Sequence, residues 1–532
     1  MKKILSYYVE NTRFIKYRIL IYIFLYILLS IISIVFPLCE GFVIDAVSSL
    51  NFSLFIIIIV LYGTLSILSM VLSLIVNKLN VYISNQVINH MVKENINHLF
   101  KISFNNLSGK DSMVITQELI QDNSEIHNFI TQKSLSFISN VCLFVFAVLI
   151  ILKHSFIMAL FIVIILTVYM LSYLYFKKKV YLNSKRLKEK QSIYYSYFYK
   201  LSNFIKDIRL NSLLGKAFKI QDAHFNSLLN VSTKNQNVLN NQELCGGIIN
   251  FVSQLFIFVY GFKLAVDREM SIGFIITISS YFSSILGYSQ SFLSYFTSYQ
   301  GAKFSYERIN KRKSIPEIKY GHIKLDSIHT IRIEKLEFLF DKLPVFTDKN
   351  IFFKKGNIYC IKGKNGTGKT TLIDCIFGIF GYSYKGDIFF DDIDIRNINL
   401  PYVIDKNFSI SQQIPYLIEG TIKENINLGG FVETGKLNQL LDGFGLRDIY
   451  TNKTEMMNSY NDALSGGEKQ KISLIRTLLS SKSVLVFDEP FTYLDEASRK
   501  FLERKIDELK FDKIIIIILH DSIELNVKEI IM

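Results

Sequence analysis

Six long apolar runs fill most of the first 300 residues, at roughly 17–38, 54–76, 128–152, 156–176, 244–266 and 272–297. Each is close to the ~20 residues a helix needs to cross a hydrocarbon core about 30 Å thick. Within that core backbone polar groups must bond within their own segment, so the expected form is a bundle of six membrane helices. The sixth run is the most polar ("SYFSSILGYSQSFLSYFTSY"). Its Ser and Tyr content suits a cavity wall or a helix interface better than a lipid face. A soluble core helix is the competing reading for that segment.

The loops set the expected orientation. Those after runs one, three and five are short ("VSSLNFSL", "KHS", "DREM") and together hold two Lys or Arg. Those after runs two and four are about 50 and 65 residues long and basic. Positive loops stay on the cytoplasmic side, so the long loops and both termini are expected there, in the cell membrane. The net charge of +14 is explained in the same way, because 13 Lys or Arg lie between Lys177 and Asn240, including Lys177-Lys178-Lys179 directly after an apolar run. No nucleic-acid partner is expected. The five Cys (39, 142, 245, 360, 375) have neither metal-binding nor redox spacing and read as small buried residues. The first run lacks a small-residue cleavage site and is followed by further spans, so no cleaved leader is expected.

A structureless loop of 50 residues would be unusual in a compact protein. Helical spacing continues through "NVYISNQVINHMVKENINHLF" and "QSIYYSYFYKLSNFIKDIRLNSLLGKAF". The membrane helices are therefore expected to project into the cytoplasm, with short turn helices near "FNNLSGKDSM" and "LNSLLGKAF" as contact surfaces for a cytoplasmic motor. Glu40 and Asp45 sit at the outer end of run one and read as interfacial residues, and Lys78 reads as interfacial at the inner side. An intramembrane carboxylate is costly and often functional, so a substrate role is the alternative for the two acids.

After "GAKFSYERINKRKS" the pattern changes to short strand-like runs between helices: "IRIEKLEFLF", "NIYCIKG", "SVLVFDEP", "KIIIIILH". Continuous β-branched runs of this kind form buried parallel strands in an α/β domain. "GKNGTGKTT" (363–371) fits G-x-x-x-x-G-K-[ST] between a strand and a helix. Its glycines free backbone N–H groups to wrap phosphates, Lys369 neutralises the β and γ oxygens, and the Thr370 hydroxyl suits Mg²⁺. "SVLVFDEP" brings Asp488 to the carboxyl end of a strand, where it can hold Mg²⁺ through water. Glu489 follows and can polarise an attacking water. His520 ends the last strand-like run, within reach of the same phosphate. "LSGGE" (464–468) opens a helix with Ser465, Gly466 and Gly467, which is a second potential phosphate site.

With these elements the chain resembles an ATP-binding cassette (ABC) transporter of the exporter type. It looks like a half-transporter, with the membrane domain ahead of the nucleotide-binding domain, and the resemblance covers nearly the whole chain. "GKNGTGKTT" resembles the Walker A motif, "VLVFDE" Walker B, and "LSGGE" the family signature, whose commonest form ends in Gln. "SISQQIPYLIEGTIKENI" is similar to the Q-loop region, with Gln413 rather than Gln412 aligned as its glutamine. "YLDEAS" resembles the D-loop, with Asp495. Phe340 falls where the family stacks an aromatic ring, usually Tyr, on adenine. "RINKRKSIPEI" resembles the interdomain linker. The implied domains are a six-span membrane domain over 1–305, a linker over 306–329 and an α/β P-loop ATPase over 330–532.

The resemblance implies two ATPase domains stacked head to tail. ATP then lies between Phe340, the Walker residues Gly363, Lys364, Asn365, Gly366, Thr367, Gly368, Lys369, Thr370 and Thr371 of one subunit, and Ser465, Gly466, Gly467 and Asp495 of the other. It assigns Mg²⁺ to Thr370, Asp488 and Gln413, the attacking water to Glu489, and γ-phosphate contact to Lys369 and His520. Glu468 should face away from that phosphate. The expected function is ATP-driven export of a small hydrophobic, amphipathic or peptide substrate across the lipid bilayer by a dimer. A homodimer is favoured over a heterodimer because Glu489 is intact. A dedicated exporter of a secreted or modified peptide is the alternative, one without the N-terminal protease domain that such exporters often carry. An ATP-gated channel or sensor, an importer on the same fold, and a soluble-type DNA-acting ATPase rank behind. Two departures stand out. The Glu- and Gly-containing loop usual before the signature is replaced by "TEMMNSYNDA", with Ser459 at the Glu position. Only 12 residues follow His520, where family members continue with further strands and a helix, so "VKEIIM" is expected to be the first of those strands.

Overall fold

A computed structural model describes the chain except for residues 107–111, 341–342, 429–432, 453–463 and 520–524. It divides into two compact units: Met1–Asn95 with Met113–Arg312, and Ile96–Ser112 with Lys313–Met532.

The first unit is helical. It comprises α1 (Lys2–Thr12), α2 (Lys16–Ser48), α3 (Phe52–Leu99, up to Asn95), α4 (Ser112–Asn128), α5 (Ser134–His154), α6 (Phe156–Asn203), α7 (Ile205–Leu210), α8 (Leu214–Val266) and α9 (Ile272–Lys313). Among the described residues, six of its helical stretches are long and apolar enough to cross a membrane. The third is made by α4 and α5, joined without a break by a π turn at Phe129–Lys133. α6 and α8 have 48 and 53 residues. At 1.5 Å per residue they run about 70–80 Å, far more than a bilayer core needs. The turn helix joining them is α7, slightly ahead of the expected "LNSLLGKAF". Between α3 and α4 a 3₁₀ turn forms at Phe104–Asn106.

Many large apolar side chains of this unit are exposed, as Ile57, Ile67 and Val259 are, which is the surface expected of a protein solvated by lipid. The helices are held together by small residues and hydrogen bonds. At Gly41 of α2 an added Cβ would lie 2.6 Å from the Gly273 carbonyl oxygen of α9, so the two backbones touch. The polar sixth run is a helix interface. Tyr281 donates to the Ile34 carbonyl at 2.7 Å, Thr277 to the Pro37 carbonyl at 3.1 Å, and Gln254 of α8 to Ser283 at 3.1 Å. Further along α9, Arg308 pairs with buried Asp122 of α4, its Nε 2.7 Å from Oδ2.

The second unit is α/β. An antiparallel sheet of order β2-β1-β4-β5 is built from β1 (Thr330–Phe340), β2 (Leu343–Lys354), β4 (Lys385–Phe390) and β5 (Ile393–Asp394). A parallel sheet of order β6-β7-β8-β3-β9 contains β3 (Asn357–Lys362), β6 (Phe408–Ser411), β7 (Val484–Asp488), β8 (Ile514–Leu519) and β9 (Lys528–Ile531). The four strand-like runs became β1, β3, β7 and β8, and "VKEIIM" became β9, paired with β3. Side-chain alternation in the parallel strands feeds two cores. Ile514, Ile516 and Ile518 of β8 pack with α10 (Lys369–Ile376), α11 (Leu400–Asn407) and the antiparallel sheet. Ile515, Ile517 and Leu519 face the core of α12 (Ile422–Asn427), α13 (Thr434–Gly443), α15 (Gly466–Leu479) and α16 (Glu496–Leu509), with the short α14 (Arg447–Asn452) at its margin.

The end of α3 belongs to this second unit, and its loop is stitched to the residues just after α10. Ile318 N–H donates to the Lys101 carbonyl at 2.8 Å, Phe104 N–H to the Ile379 carbonyl at 3.0 Å, and Ser103 Oγ to the Phe380 carbonyl at 2.7 Å.

Candidate functional site

The P-loop carries the chain from β3 into α10, so the open N–H groups at the start of α10 face the carboxyl edge of the parallel sheet. Gly366 and Gly368 adopt φ of +83° and +87°, which a residue with a Cβ rarely tolerates. At Gly368 an added Cβ would also lie 2.6 Å from Val345 Cγ1. Lys369 is buried and folds over its own loop, Nζ donating to the carbonyls of Gly363 at 2.8 Å and Lys364 at 3.2 Å. The ammonium is thereby centred in the loop. Lys364, Asn365, Gly366 and Thr370 are exposed around it, with Thr367 and Thr371 half-buried. Thr367 donates from Oγ1 to the Lys364 carbonyl at 3.0 Å and tightens the turn.

Asp488 ends β7 in register with Ile518 of β8. Glu489 departs from the strand with φ of +48°, a left-handed conformation costing on the order of 1 kcal/mol in a non-glycine residue. Backbone hydrogen bonds hold it: its N–H donates to the Ile518 carbonyl at 3.1 Å, and its carbonyl accepts from Gln470 Nε2 at 3.3 Å and from Thr492 Oγ1 at 3.2 Å. The bend turns the carboxylate toward Gln413, whose Nε2 donates to Oε2 at 2.6 Å. Gln413 follows β6, the strand beside β7, so neighbouring strands bring together two residues 76 positions apart.

Two residues escaped the sequence reading. Asp374 lies one turn beyond Thr370 on α10, and burial followed by the charge of Asp488 pushes its carboxyl up to about 6. The i,i+4 spacing from Thr370 was the available signal. Gln470, which clamps Glu489, had no local signal, because its role depends on α15 passing behind β7.

The signature residues form a second group. Ser465 caps α15, its Oγ accepting from the Glu468 N–H at 3.2 Å, and Glu468 Oε2 accepts from the Ser465 N–H at 2.6 Å. This capping box ties the Glu468 carboxylate back to its own helix start. At Gly467 an added Cβ would stand 3.0 Å from the Tyr493 carbonyl oxygen, so the signature packs tightly on the segment leading to Asp495. Asp495 caps α16, accepting from Ser498 N–H at 2.8 Å and Lys471 Nζ at 2.7 Å. The Lys471 ammonium and then the Ser498 donors hold its carboxyl well below the usual range. Phe340 ends β1 and is 41% exposed as a residue, open to stacking. His520 and the stretch containing Ser459 lie outside the described residues.

The chain is similar to known proteins over both of its units. A family model described as ABC transporter transmembrane region matches residues 19–289, and one described as ABC transporter matches 346–492. The nisin transport ATP-binding protein NisT of Lactococcus lactis subsp. lactis is 28% identical over 336 residues, covering 59% of this chain and 54% of that protein. The ATP-dependent lipid A-core flippase of Francisella novicida is 29% identical over 197 residues, covering 36% and 33%. The serine protease/ABC transporter B family protein tagA of Dictyostelium discoideum is 28% identical over 320 residues, covering 56% and 18%. The chain thus spans about half or less of the curated relatives it matches. A bacterial Atm1-family ABC exporter solved with ATP bound superposes with a TM-score of 0.80 at 13% identity, covering 94% of this chain and 91% of that one, a likeness of fold. With the transmembrane-region model over half of its length and the ATPase model over its P-loop domain, the chain belongs to the ABC transporter family.

Proposed function

We propose that this chain is one half of a dimeric pump that couples ATP hydrolysis to export of a small hydrophobic, amphipathic or peptide substrate. The observation that carries the reading is the 2.6 Å hydrogen bond from Gln413 to Glu489, made beside a P-loop in a chain with six membrane-length helices. In this reading Glu489 takes the proton of the attacking water, and its left-handed backbone aims it there. Gln413 fixes the direction of that carboxylate. Lys369 and His520 neutralise charge developing on the γ-phosphate. Catalysis of this kind is positioning plus electrostatics. Thr370, Asp488 and the amide oxygen of Gln413 offer hydroxyl, carboxylate and amide oxygens, the hard donors that suit Mg²⁺. When bound, Mg²⁺ would supply charge neutralisation at the β and γ oxygens.

Phe340 would stack on adenine, and Gly363–Thr371 would cradle the phosphates. Ser465, Gly466, Gly467 and Asp495 would complete the site of a second subunit, which is why the chain would work as a pair. We favour a homodimer, since Glu489 is present. The loop charges favour a cell-membrane location with both termini and the ATPase domain on the cytoplasmic side. The bonds between the Lys101–Phe104 segment and the end of α10 supply a route from phosphate binding to the membrane helices. A dedicated peptide exporter is the second reading, favoured by the relative whose name records nisin transport.

The test is Glu489→Gln in the purified dimer in lipid nanodiscs. ATP binding is expected to persist while phosphate release falls at least about 100-fold. Phosphate release at the wild-type rate would refute the assignment.

A further inference from the structure

We propose that Gln470 is a positioning residue for ATP hydrolysis: its buried amide holds the backbone of Glu489 in the bend that aims the carboxylate. This rests on the reading above in which Glu489 takes the proton of the attacking water.

Gln470 lies in the first half of α15 and is fully buried. Its Nε2 donates to the Glu489 carbonyl at 3.3 Å. A carbonyl oxygen only accepts, so this contact fixes which end of the amide faces Glu489. The other end, Oε1, is buried and accepts no hydrogen bond among the described residues. Burying an amide with one end unsatisfied is unfavourable, and an apolar side chain of the same length would avoid it. Nor is the amide needed to join α15 to the segment after β7. Gly467 packs on the Tyr493 carbonyl, and Lys471 Nζ bonds Asp495 Oδ2 at 2.7 Å. What packing leaves unexplained is the polar group itself, and the bond it makes is to Glu489.

That bond falls on a strained residue. Glu489 has φ of +48°, which a residue with a Cβ adopts only at a cost. Thr492 Oγ1 donates to the same carbonyl at 3.2 Å, but from within the turn. Gln470 reaches it from a separate helix, and so ties the bend to α15 rather than to the turn alone. At the far end of the side chain, Gln413 Nε2 donates to Glu489 Oε2 at 2.6 Å. The residue is thus held at its backbone by one glutamine and at its carboxylate by another. Without the Gln470 amide the bend can relax, and a displacement of about 1 Å at a reacting group is enough to cost much of its rate.

Gln470→Met keeps the length and approximate volume and removes the donor. In the full-length protein in lipid nanodiscs it should lower kcat for ATP at least about tenfold and leave KM within about twofold, since no phosphate-binding residue is touched. Its melting temperature should equal or exceed that of wild type, because the unsatisfied Oε1 is gone. In a Glu489→Gln background the same substitution should change the residual single-turnover rate by less than about twofold, because no carboxylate is left to aim. Three results would overturn the proposal. A melting temperature lower by several degrees, or loss of folded protein, would make Gln470 structural. An unchanged kcat would make its bond idle. An equal fold-loss in both backgrounds would mean that it acts elsewhere than through Glu489. Wild-type turnover by Glu489→Gln alone would refute the water-activating assignment and the positioning role with it, a result distinguishable because it needs no change at Gln470.

Discussion

Isoleucine does opposite work in the two units. In β8 five consecutive isoleucines, Ile514 to Ile518, are buried between two helical layers. In α3, Ile56, Ile57, Ile59 and Ile67 are exposed. The polar groups are reversed to match. Ser, Thr and Tyr of α9 face inward and join helices, whereas in the ATPase unit Lys364, Asn365 and Gln413 face solvent at the sheet edge. Burial is therefore a property of the residue and its medium together. One unit gains its order from apolar burial. The other, already solvated by apolar chains, gains it from close backbone approach and internal hydrogen bonds.

This contrast can be broken or sharpened by experiment. The largest effect is expected at the ATPase edge, where Glu489→Gln should stop turnover while leaving the melting temperature of the protein unchanged. A shift of several degrees would mean that the Gln413–Glu489 bond is structural. Next is a matched pair of exposed residues, Ile67 of α3 at 65% and Phe511 at 72%. Ile67→Lys should cost about 2.5–3.5 kcal/mol at mid-membrane and lower the amount of folded protein recovered. Phe511→Lys should stay within about 0.5 kcal/mol. Equal costs would dissolve the comparison. Third is Gly273→Ala. The new methyl carbon would stand 2.0 Å from the Gly41 carbonyl oxygen, so a loss of about 1–3 kcal/mol in thermal or detergent stability is expected.

The smallest effect is at Asp374. Its carboxyl is raised to about 6 against an unfolded value near 3.8, so the folded state holds a proton that the unfolded state has lost between those values. The resulting penalty is absent below about pH 4 and fully present above about pH 6. Asp374→Asn should then raise the melting temperature by about 2–4 °C at pH 7.5 without Mg²⁺. The gain should shrink as the pH is lowered toward 4. A gain that stayed constant with pH would point to packing.

Legibility also differed between the units. Lys369, Thr370, Asp488 and Ser465 were readable because each sits in a short motif whose strand–loop–helix context is local. The Gln413–Glu489 bond required β6 to lie beside β7, and the Gln470 clamp required α15 to pass behind them. In the membrane unit the six spans were readable from length and apolarity, yet their mutual faces were not. Helices that are apolar all round carry little periodic signal. Gly41 against Gly273, and Glu40 against Ser280, emerged only when α2 met α9.

The sequence by itself determined that six helices are long and apolar enough to cross a membrane and that an α/β nucleotide-binding domain follows. Span length and phosphate-loop chemistry are local properties, fixed by runs of about 20 and about 8 residues. The tertiary structure decided how those pieces meet. It tied Asp45 down as a cap at the start of α9. It also folded Glu468 back onto Ser465 and turned Glu489 into reach of Gln413. Such pairings join residues far apart in the chain, and no local pattern encodes a partner that only packing brings within hydrogen-bonding distance.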